Sequence, residues 1–259
     1  AISGIDIALW DILGKIENKS IANLLGGLKI NSLTAYASLF LYDDADATSK
    51  VSLKAKNEGY KIIKLHENKI APIQSSRDAI GETHLMVDVN CVWNEKEMNH
   101  IIEDLKNANL YWLEEPIWPP ENFSGLFQLR EEGMTIASGE NLCTSYQFAE
   151  MISKNAADIL QPSVTKVGGI SEIIKITNLD TNRSRIVPHS PYFGPGFMAT
   201  LQVIGALTPD SEIERLYVDL KADIYNGASN INNEGKISIP NGPGLGIEPN
   251  MNIIEEYIK

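Results

Sequence analysis

The sequence predicts an α/β protein in which eight parallel strands close into a barrel. From about residue 33 onward, short apolar runs alternate with amphipathic stretches, which is the pattern of successive βα units. Polar residues stand at the ends of seven of these runs: Lys64, Asp88, Glu114, Glu140, Ser163, His189 and Glu214. These positions are almost evenly spaced, and each interval is about what a strand, a helix and two loops take. A chain of 259 residues also has the usual size of one such barrel.

The strands follow from the apolar runs, and the helices follow from apolar residues at helical spacing. Strands are predicted over Leu33–Ser38, Ile62–Leu65, Leu85–Val89, Tyr111–Leu113, Thr135–Ala137, Ile159–Gln161, Ile186–Pro188 and Ile213–Val218. Two of the helices between them are clear, over Asn94–Asn107 and Tyr146–Lys154.

Both ends of the chain lie outside this series. The N-terminal segment, residues 1–27, opens directly on a helix in which Ser3 and Asp6 are spaced as a capping box, and its apolar stripe is Ile5, Leu9, Ile12 and Leu13. A helix this well formed at the first residue leads us to expect an upstream portion. Near the other end, the turn-rich stretch 242–246 precedes a short amphipathic tail. We therefore predict a barrel over residues 28–225, and a second lobe in which residues 1–27 pack with residues 226–259.

Composition excludes several classes of partner. The net charge is -12, and no run is rich in Lys or Arg, so nucleic acid and anionic membrane surfaces are not expected to bind. No apolar stretch approaches the roughly 20 residues needed to span a bilayer. Only two cysteines occur, Cys91 and Cys143, and we predict that both are buried free thiols rather than a disulfide. With no signal peptide in view, a cytoplasmic protein is expected.

Three acidic residues predict a metal site. Asp88, Glu114 and Glu140 each follow a short apolar run, and the interval from the first to the second equals that from the second to the third. Because the carboxyl ends of neighbouring barrel strands meet at one mouth, the three carboxylates converge there. One such acid alone would more simply cap the following helix, but three in register favour a bound cation. Carboxylate oxygens suit Mg²⁺, and Mn²⁺ remains an alternative.

Basic residues on neighbouring strands extend this prediction to chemistry. Lys64 and His66 alternate around Leu65, so they face the same side of one strand. His189 ends a later strand between two prolines. Each has an ordinary alternative, a solvated strand end for the lysine and a structural role for His189. Beside three carboxylates, however, they can exchange the proton α to a substrate carboxylate, while a divalent cation stabilises the resulting enediolate.

At these residues the chain resembles the enolase superfamily, in its mandelate racemase-like subgroup. The resemblance begins in Gly4–Asp11 and in Leu24–Gly27. It continues through the stretches Val87–Asn90, Trp112–Pro116, Ser138–Asn141, Lys166–Gly169 and Gly242–Gly246. It implies a (β/α)7β TIM-like barrel, with residues 1–27 as helices of an α+β capping domain and residues 226–259 as a segment that returns to that cap. It also implies an acid–base mechanism at Mg²⁺.

The resemblance also implies a role for each site residue. Metal ligation falls to Asp88, Glu114 and Glu140, with Glu114 chosen over its neighbour Glu115. His189 matches a catalytic base, and Lys64 matches the first lysine of a Lys-x-Lys motif. The expected substrate-binding residues are Glu214, Asn90, Asn141 and Ser163.

Two departures from the family pattern affect the acid–base residues. His66 stands where the motif has its second lysine, and Ser163 stands where an aspartate usually orients the histidine that His189 matches. Without that aspartate, the tautomer of His189 is less firmly set. Ser163 could still hydrogen-bond His189, or His66 could be the principal base.

Together these features predict a metal-dependent enzyme that removes the proton α to a carboxylate. The favoured reaction is dehydration of a hydroxy acid or acid sugar, because basic groups on two sides allow one to take the proton and another to assist departure of hydroxide. Racemisation or epimerisation of a hydroxy acid is the first alternative, and a catalytically silent metal-binding barrel is the second. The expected partner is a small-molecule carboxylate, and a homo-oligomer is expected.

Overall fold

Helices and strands alternate along the part of the chain that the computed structural model describes, residues 1–181 and 184–258. The strands are β1 Ser32–Ser38, β2 Ile62–Leu65, β3 His84–Asp88, β4 Trp112–Glu114, β5 Ile136–Ser138, β6 Ile159–Leu160, β7 Arg185–Ile186, β8 Ile213–Leu216 and β9 Lys236–Ser238. The helices are α1 Ile2–Ile16, α2 Ile21–Leu24, α3 Ala45–Asn57, α4 Ile70–Ile80, α5 Glu95–Asn107, α6 Phe123–Glu131, α7 Ser145–Ser153, α8 Ile170–Thr177, α9 Pro195–Leu207 and α10 Met251–Tyr257.

Strands β1 to β8 form one curled parallel sheet, in the order β7-β6-β5-β4-β3-β2-β1-β8. The prediction of a parallel α/β barrel with eight strands is confirmed, and strand ends differ only slightly from the predicted ones. Strands β7 and β8 form no backbone ladder among the described residues, and side chains join them instead. Ser211 donates to the carbonyl of Ile186, and Arg185 forms an ion pair of 2.8 Å with Glu212. Strand β9 is antiparallel to β1.

The pleat of the strands separates two apolar cores. Leu65, Val87 and Leu160 belong to the larger core, together with apolar residues of the helices outside the sheet. A smaller cluster inside the barrel comprises Tyr36, Ile62, Met86, Trp112, Ala137, Ile159 and Val187, one residue from each of β1 to β6 and one just after β7. We call it the inner cluster. Because side chains alternate along a strand, the residue two positions further along also faces inward, closer to the carboxyl end of the barrel.

The predicted N-terminal helix is present, but its predicted capping box is wrong. Ala1 is the N-cap of α1 and makes no side-chain hydrogen bond. Ser3 instead accepts a hydrogen bond from the backbone N–H of Gly168, and Asp6 accepts one from the backbone N–H of Ser171. The reason is that the first amide groups of α8 and of the turn before it lack helical partners. These two side chains therefore fix α1 to the barrel.

The turn-rich stretch near the C-terminus packs on the N-terminal segment. Gly244 accepts from the backbone N–H of Ile21 and donates to the carbonyl of Lys19, while Leu245 donates to the carboxylate of Asp11. A side chain at position 244 would collide with Asp11, so the close approach requires glycine. The division of the chain at residues 27 and 225 stays a prediction.

The other local predictions have mixed outcomes. The helix predicted over Asn94–Asn107 begins at Glu95, with Asn94 as N-cap in a capping box with Glu97. Cys91 is a buried free thiol as predicted, but the prediction for Cys143 is wrong, because its loop before α7 leaves it exposed. None of the described helices is long and apolar enough to cross a membrane.

Candidate active site

Polar residues surround the inner cluster at the carboxyl end of the barrel. Two positions beyond six members of that cluster stand Ser38, Lys64, Asp88, Glu114, Gln161 and His189, and the seventh such position is Gly139. Glu214 of β8 joins them, because its carboxylate accepts from the Ser38 hydroxyl at 2.8 Å. We call these seven polar residues the polar ring. The same pleat that builds an apolar layer thus places a ring of polar side chains, most of them ionisable, directly above it.

The three predicted metal ligands lie together at this ring. One carboxylate oxygen from each of Asp88, Glu114 and Glu140 lies within 4.8 Å of the other two, and all three residues are buried. Glu140 stands three residues after Ala137, so a regular strand would turn it outward. Gly139, at a φ of 126°, adopts a backbone conformation that side chains disfavour, and this bend places Glu140 among the other two acids.

The adjacent acid, Glu115, serves a different purpose. Its carboxylate accepts from the Ser138 hydroxyl at 2.8 Å and from the Gly139 N–H at 2.9 Å. It also accepts from Asn141 and from the Cys91 thiol, whose pKa is raised by burial and by this carboxylate. Glu115 therefore holds the bend that carries Glu140, whereas Glu114 faces the cluster of acids.

Lys64 is the central cation of the polar ring. Its ammonium group is fully buried and lies 3.1 Å from Asp88, 2.8 Å from Glu114 and 2.8 Å from Glu214. Burial alone would lower its pKa, but these carboxylates outweigh burial and raise the pKa well above its usual range. Lys64 is therefore a permanent positive charge.

The carboxylates divide into two kinds around this single ammonium. Burial raises the pKa of Glu114 well above its usual range. Asp88 and Glu214 raise this pKa further, and the ammonium of Lys64 does not offset the increase. For Asp88 and Glu214, burial is outweighed by Lys64; the pKa of Asp88 is lowered, and that of Glu214 falls to about 2. The region thus carries more acidic groups than one ammonium can keep ionised.

The ring of His66 is held between a backbone carbonyl and Asp88. Its Nδ1 bonds the carbonyl of Leu39, which can only accept, so Nδ1 carries a proton. Its Nε2 lies 3.3 Å from Asp88, with the side chain one-fifth exposed. His66 is therefore held in a fixed orientation, with Nε2 directed at Asp88.

His189 lies on the other side of the acids and is held at one nitrogen only. Its Nε2 lies 2.8 Å from Glu140, which lowers the pKa of that carboxyl despite burial. The buried Nδ1 has no hydrogen-bond partner among the described residues. The Ser163 hydroxyl is bonded to Thr165 and Tyr192 instead, and Tyr192 in turn donates to the backbone carbonyl of His189. Ser163 therefore does not orient Nδ1 of His189.

The remaining predicted substrate-binding residues are Asn90 and Asn141, which each contact an acidic residue of the site, and Glu214, which accepts hydrogen bonds from its neighbours. Asn90 is exposed and donates to Asp88 from both its backbone and its side chain, each at 3.0 Å. Asn141 is exposed and donates to Glu115. Glu214 is fully buried, and Lys64, Ser38 and the backbone N–H of Ser190 all donate to it. Their roles toward a substrate stay predictions.

Sequence reasoning missed two members of the ring and undervalued a neighbour. Ser38 and Gln161 stand inward at strand ends, and stepping to the next inward position after Tyr36 and Ile159 would have found them. Sequence reasoning also gave no role in the site to Lys166, whose ammonium lies 3.3 Å from Glu140.

Comparison with known families decides which kind of barrel this is. The model of the enolase C-terminal domain-like family matches residues 47–253. The model of the mandelate racemase and muconate lactonizing enzyme N-terminal domain matches residues 1–26. The chain belongs to the enolase superfamily. Its branch is that of mandelate racemase and muconate lactonizing enzyme, as the sequence motifs predicted, and enzymes of this superfamily are lyases or isomerases.

Several relatives act on acid sugars or their lactones. The chain is 34% identical to D-galactarolactone cycloisomerase of Agrobacterium fabrum, over 99% of this chain and 73% of the relative. It is 32% identical to arabinonate dehydratase of Saccharolobus solfataricus, over 99% and 71%. The 3,6-anhydro-D-galactonate cycloisomerase from Zobellia galactanivorans superposes with a TM-score of 0.86 at 29% identity, over 100% of this chain and 75% of that one.

Enolase superfamily enzymes bind a divalent metal ion, and the residues of this chain fit one. The donor set is three buried carboxylates, which is the oxygen-only chemistry that hard cations prefer. A cation held by Asp88, Glu114 and Glu140 would also relieve the crowding of acids and keep Glu114 ionised. Asn90 and Lys166, which contact two of these acids, would help to orient them.

Proposed function

We propose that the protein is a metal-dependent enzyme that removes the proton α to the carboxylate of a hydroxy acid, with an acid sugar as the substrate. The observation that carries this proposal is the placement of two histidines on opposite sides of one carboxylate cluster. His66 contacts Asp88 on one side, and His189 contacts Glu140 on the other. A substrate bound above the acids is thus within reach of proton exchange at two faces.

The charges of the site suit a reaction that builds negative charge. When bound, a divalent cation on the three carboxylates neutralises the charge that develops on the substrate carboxylate as the α-proton leaves. Lys64 adds a buried positive charge that no pH near neutrality removes, because its pKa is raised. Lys64 therefore stabilises charge electrostatically and does not serve as the base.

Of the two histidines, His66 is the better oriented base. The carbonyl of Leu39 holds a proton on Nδ1, so Nε2, which faces the carboxylate of Asp88 in this structure, is the nitrogen that exchanges a proton with the substrate. His189 has no such orienting partner at Nδ1 and serves as the second acid–base group, which protonates a leaving hydroxide. In this assignment the two departures from the family pattern are connected, since His66 takes over the function that the replacement at Ser163 weakens.

Dehydration is the favoured outcome, and isomerisation is the second candidate. Proton removal on one side and protonation of a hydroxyl on the other give net loss of water. The second candidate rests on relatives that are cycloisomerases, one of them 34% identical to this chain. Racemisation or epimerisation would use the same two histidines. All three reactions begin with loss of the α-proton, so they differ only in the second half of the reaction.

One experiment tests the shared step and separates the outcomes. The protein loaded with Mg²⁺ is incubated in D₂O with a panel of aldonic acids, aldaric acids and their lactones, and proton NMR follows the α-position. Loss of the α-proton signal is expected, with a 2-keto-3-deoxy acid that carries solvent deuterium at C3 as product. Ring opening or closure without loss of water would support the isomerase, and inversion at the α-carbon the racemase. Absence of exchange with every acid would contradict the proposal and favour a silent metal-binding barrel.

The finer assignments belong to the same proposal. Mg²⁺ is the expected ion and Mn²⁺ the expected substitute, because both accept carboxylate oxygens. A homo-oligomer and a cytoplasmic location also stay predictions. Sedimentation equilibrium of the purified chain tests the first of these two.

A further inference from the structure

Gln161 is a buried amide that the proposed reaction does not use. Its side chain is fully buried, yet neither Nε2 nor Oε1 has a hydrogen-bond partner in the described residues. Buried polar groups in folded proteins are nearly always paired, because an unpaired one loses its hydration without compensation. An amide with both ends unpaired therefore calls for an explanation.

The backbone turns this amide into the barrel. The strand pairing of β6 continues through Gln161, whose N–H donates to the carbonyl of Ser138 at 3.0 Å. Ile159 belongs to the inner cluster and Leu160 to the outer core, so alternation points Gln161 inward. It therefore stands in the polar ring with Lys64, Asp88 and Glu114, on the strand between those that carry Glu140 and His189.

The free groups of Gln161 specify what can pair with them. The amide offers two N–H donors and one carbonyl acceptor. A substrate carboxylate can only accept, and so would leave Oε1 unpaired. An alkyl group would leave both ends unpaired. A hydroxyl group both donates and accepts, and neighbouring hydroxyls on one carbon chain can satisfy both ends of the amide together.

We infer that Gln161 binds a hydroxyl group of the substrate, and so makes the site selective for polyhydroxy acids over acids that lack that hydroxyl. This inference rests on the proposed function, which it deepens by naming a residue that recognises the sugar chain. Gln161 binds and orients the substrate without exchanging a proton. It selects among acids that Lys64, the histidines and the metal site would otherwise accept alike.

The test compares Q161M with the wild-type protein, both loaded with Mg²⁺. The ligands are one aldonic acid and a set of analogues that each lack a single hydroxyl. Dissociation constants come from calorimetry and α-proton exchange rates from NMR in D₂O. In the wild type, loss of one particular hydroxyl is expected to weaken binding about 10–100-fold. In Q161M the parent acid should bind that much more weakly, and the same deletion should have no further effect.

A second buried glutamine provides the matched control. Gln202 of α9 is equally buried, but it accepts from the N–H of Ala22 and donates to the carbonyls of Pro240 and Leu245. Q202M should lower the midpoint of urea unfolding and leave hydroxyl discrimination intact. Q161M should leave that midpoint unchanged or raise it, since methionine removes an unpaired buried amide. A lower midpoint in Q161M would show that the amide has a structural partner, and would overturn the inference.

The two proposals fail in different ways. Exchange with unchanged hydroxyl discrimination in Q161M overturns the contact of Gln161 and leaves the proposed function standing. Binding with lost discrimination in Q161M, but without exchange in either protein, supports the contact and overturns the proposed reaction. A wild-type protein that binds none of the acids overturns both.

Discussion

The candidate active site has two sides that are built by different means. On the carboxylate side, Asp88 and Glu114 are paired directly in register between β3 and β4, and Glu140 follows β5 after the bend at Gly139. On the base side, His66 and His189 are oriented by contacts outside the ladders, a loop carbonyl for one and a single carboxylate for the other. Strand register thus places two of the three acids and the bend at Gly139 adds the third, whereas the orientation of a base depends on its individual partners.

The largest expected effect separates two adjacent acids on the carboxylate side. E114Q removes a metal ligand and should lower kcat/KM for α-proton exchange by at least about 1,000-fold, because the developing charge loses its cation. E115Q leaves the three ligands in place and loosens only the bend at Gly139, so a loss of about 10–100-fold is expected. NMR exchange rates at saturating Mg²⁺ measure both. Equal losses would contradict the different roles of the two acids.

On the base side, the effects of the two histidines should differ. H66N should lower the rate of α-proton exchange by about 100–10,000-fold. H189N should slow formation of the dehydrated product by a similar factor while α-proton exchange continues. The measurement is deuterium incorporation against product formation in the same sample. If H189N abolishes exchange and H66N preserves it, the assignment of the principal base is reversed.

Lys64 pairs with Asp88 and Glu114 of the carboxylate side and with Glu214, and its removal tests whether one ammonium balances their charge. K64M leaves Asp88, Glu114 and Glu214 buried without their ammonium, and breaking a buried ion pair in this way costs about 3–5 kcal/mol. The free energy of unfolding, measured with urea in the presence of chelator, should fall by that amount. Mg²⁺ should restore part of it, since the metal supplies positive charge to the same acids. An unchanged midpoint with chelator would argue against Lys64 as the central cation.

The smallest expected effect concerns Glu172, a carboxylate outside the polar ring that serves as a reference. Burial is outweighed at Glu172 by Lys175 and Ser145, which lower its pKa to about 2. Because the folded pKa is depressed, the stabilisation is fully present above about pH 4.5 and is lost as pH falls toward 2. The unfolding midpoint of E172Q should therefore lie below that of the wild type at pH 7, and the gap should narrow below pH 4.5. E150Q, on the exposed face of α7, serves as the control, and a gap independent of pH would contradict the account.

The contrast between the two sides also explains what the sequence could predict. The equal intervals between Asp88, Glu114 and Glu140 located the metal site, because such intervals follow from the βα repeat. Alternation along the strands also predicts that Ser38 and Gln161 face inward. Neither side chain is charged, so neither was chosen as a site residue.

Other features depend on local backbone geometry and on packing between distant segments. The bend at Gly139 and the contact of Ser163 with Tyr192 are of this kind, and no single-sequence pattern encodes them. The capping box of α1 failed for the same reason, since Ser3 and Asp6 have their partners in the turn before α8 and at its start, far along the chain.

The metal position tests the central claim most directly. Crystals of the protein grown with Mn²⁺ would give an anomalous difference map at the manganese absorption edge. We expect one peak at the carboxyl end of the barrel, about 2.0–2.3 Å from an oxygen of each of Asp88, Glu114 and Glu140. A peak bound by other residues, or none at these acids in a protein that catalyses α-proton exchange, would contradict the account.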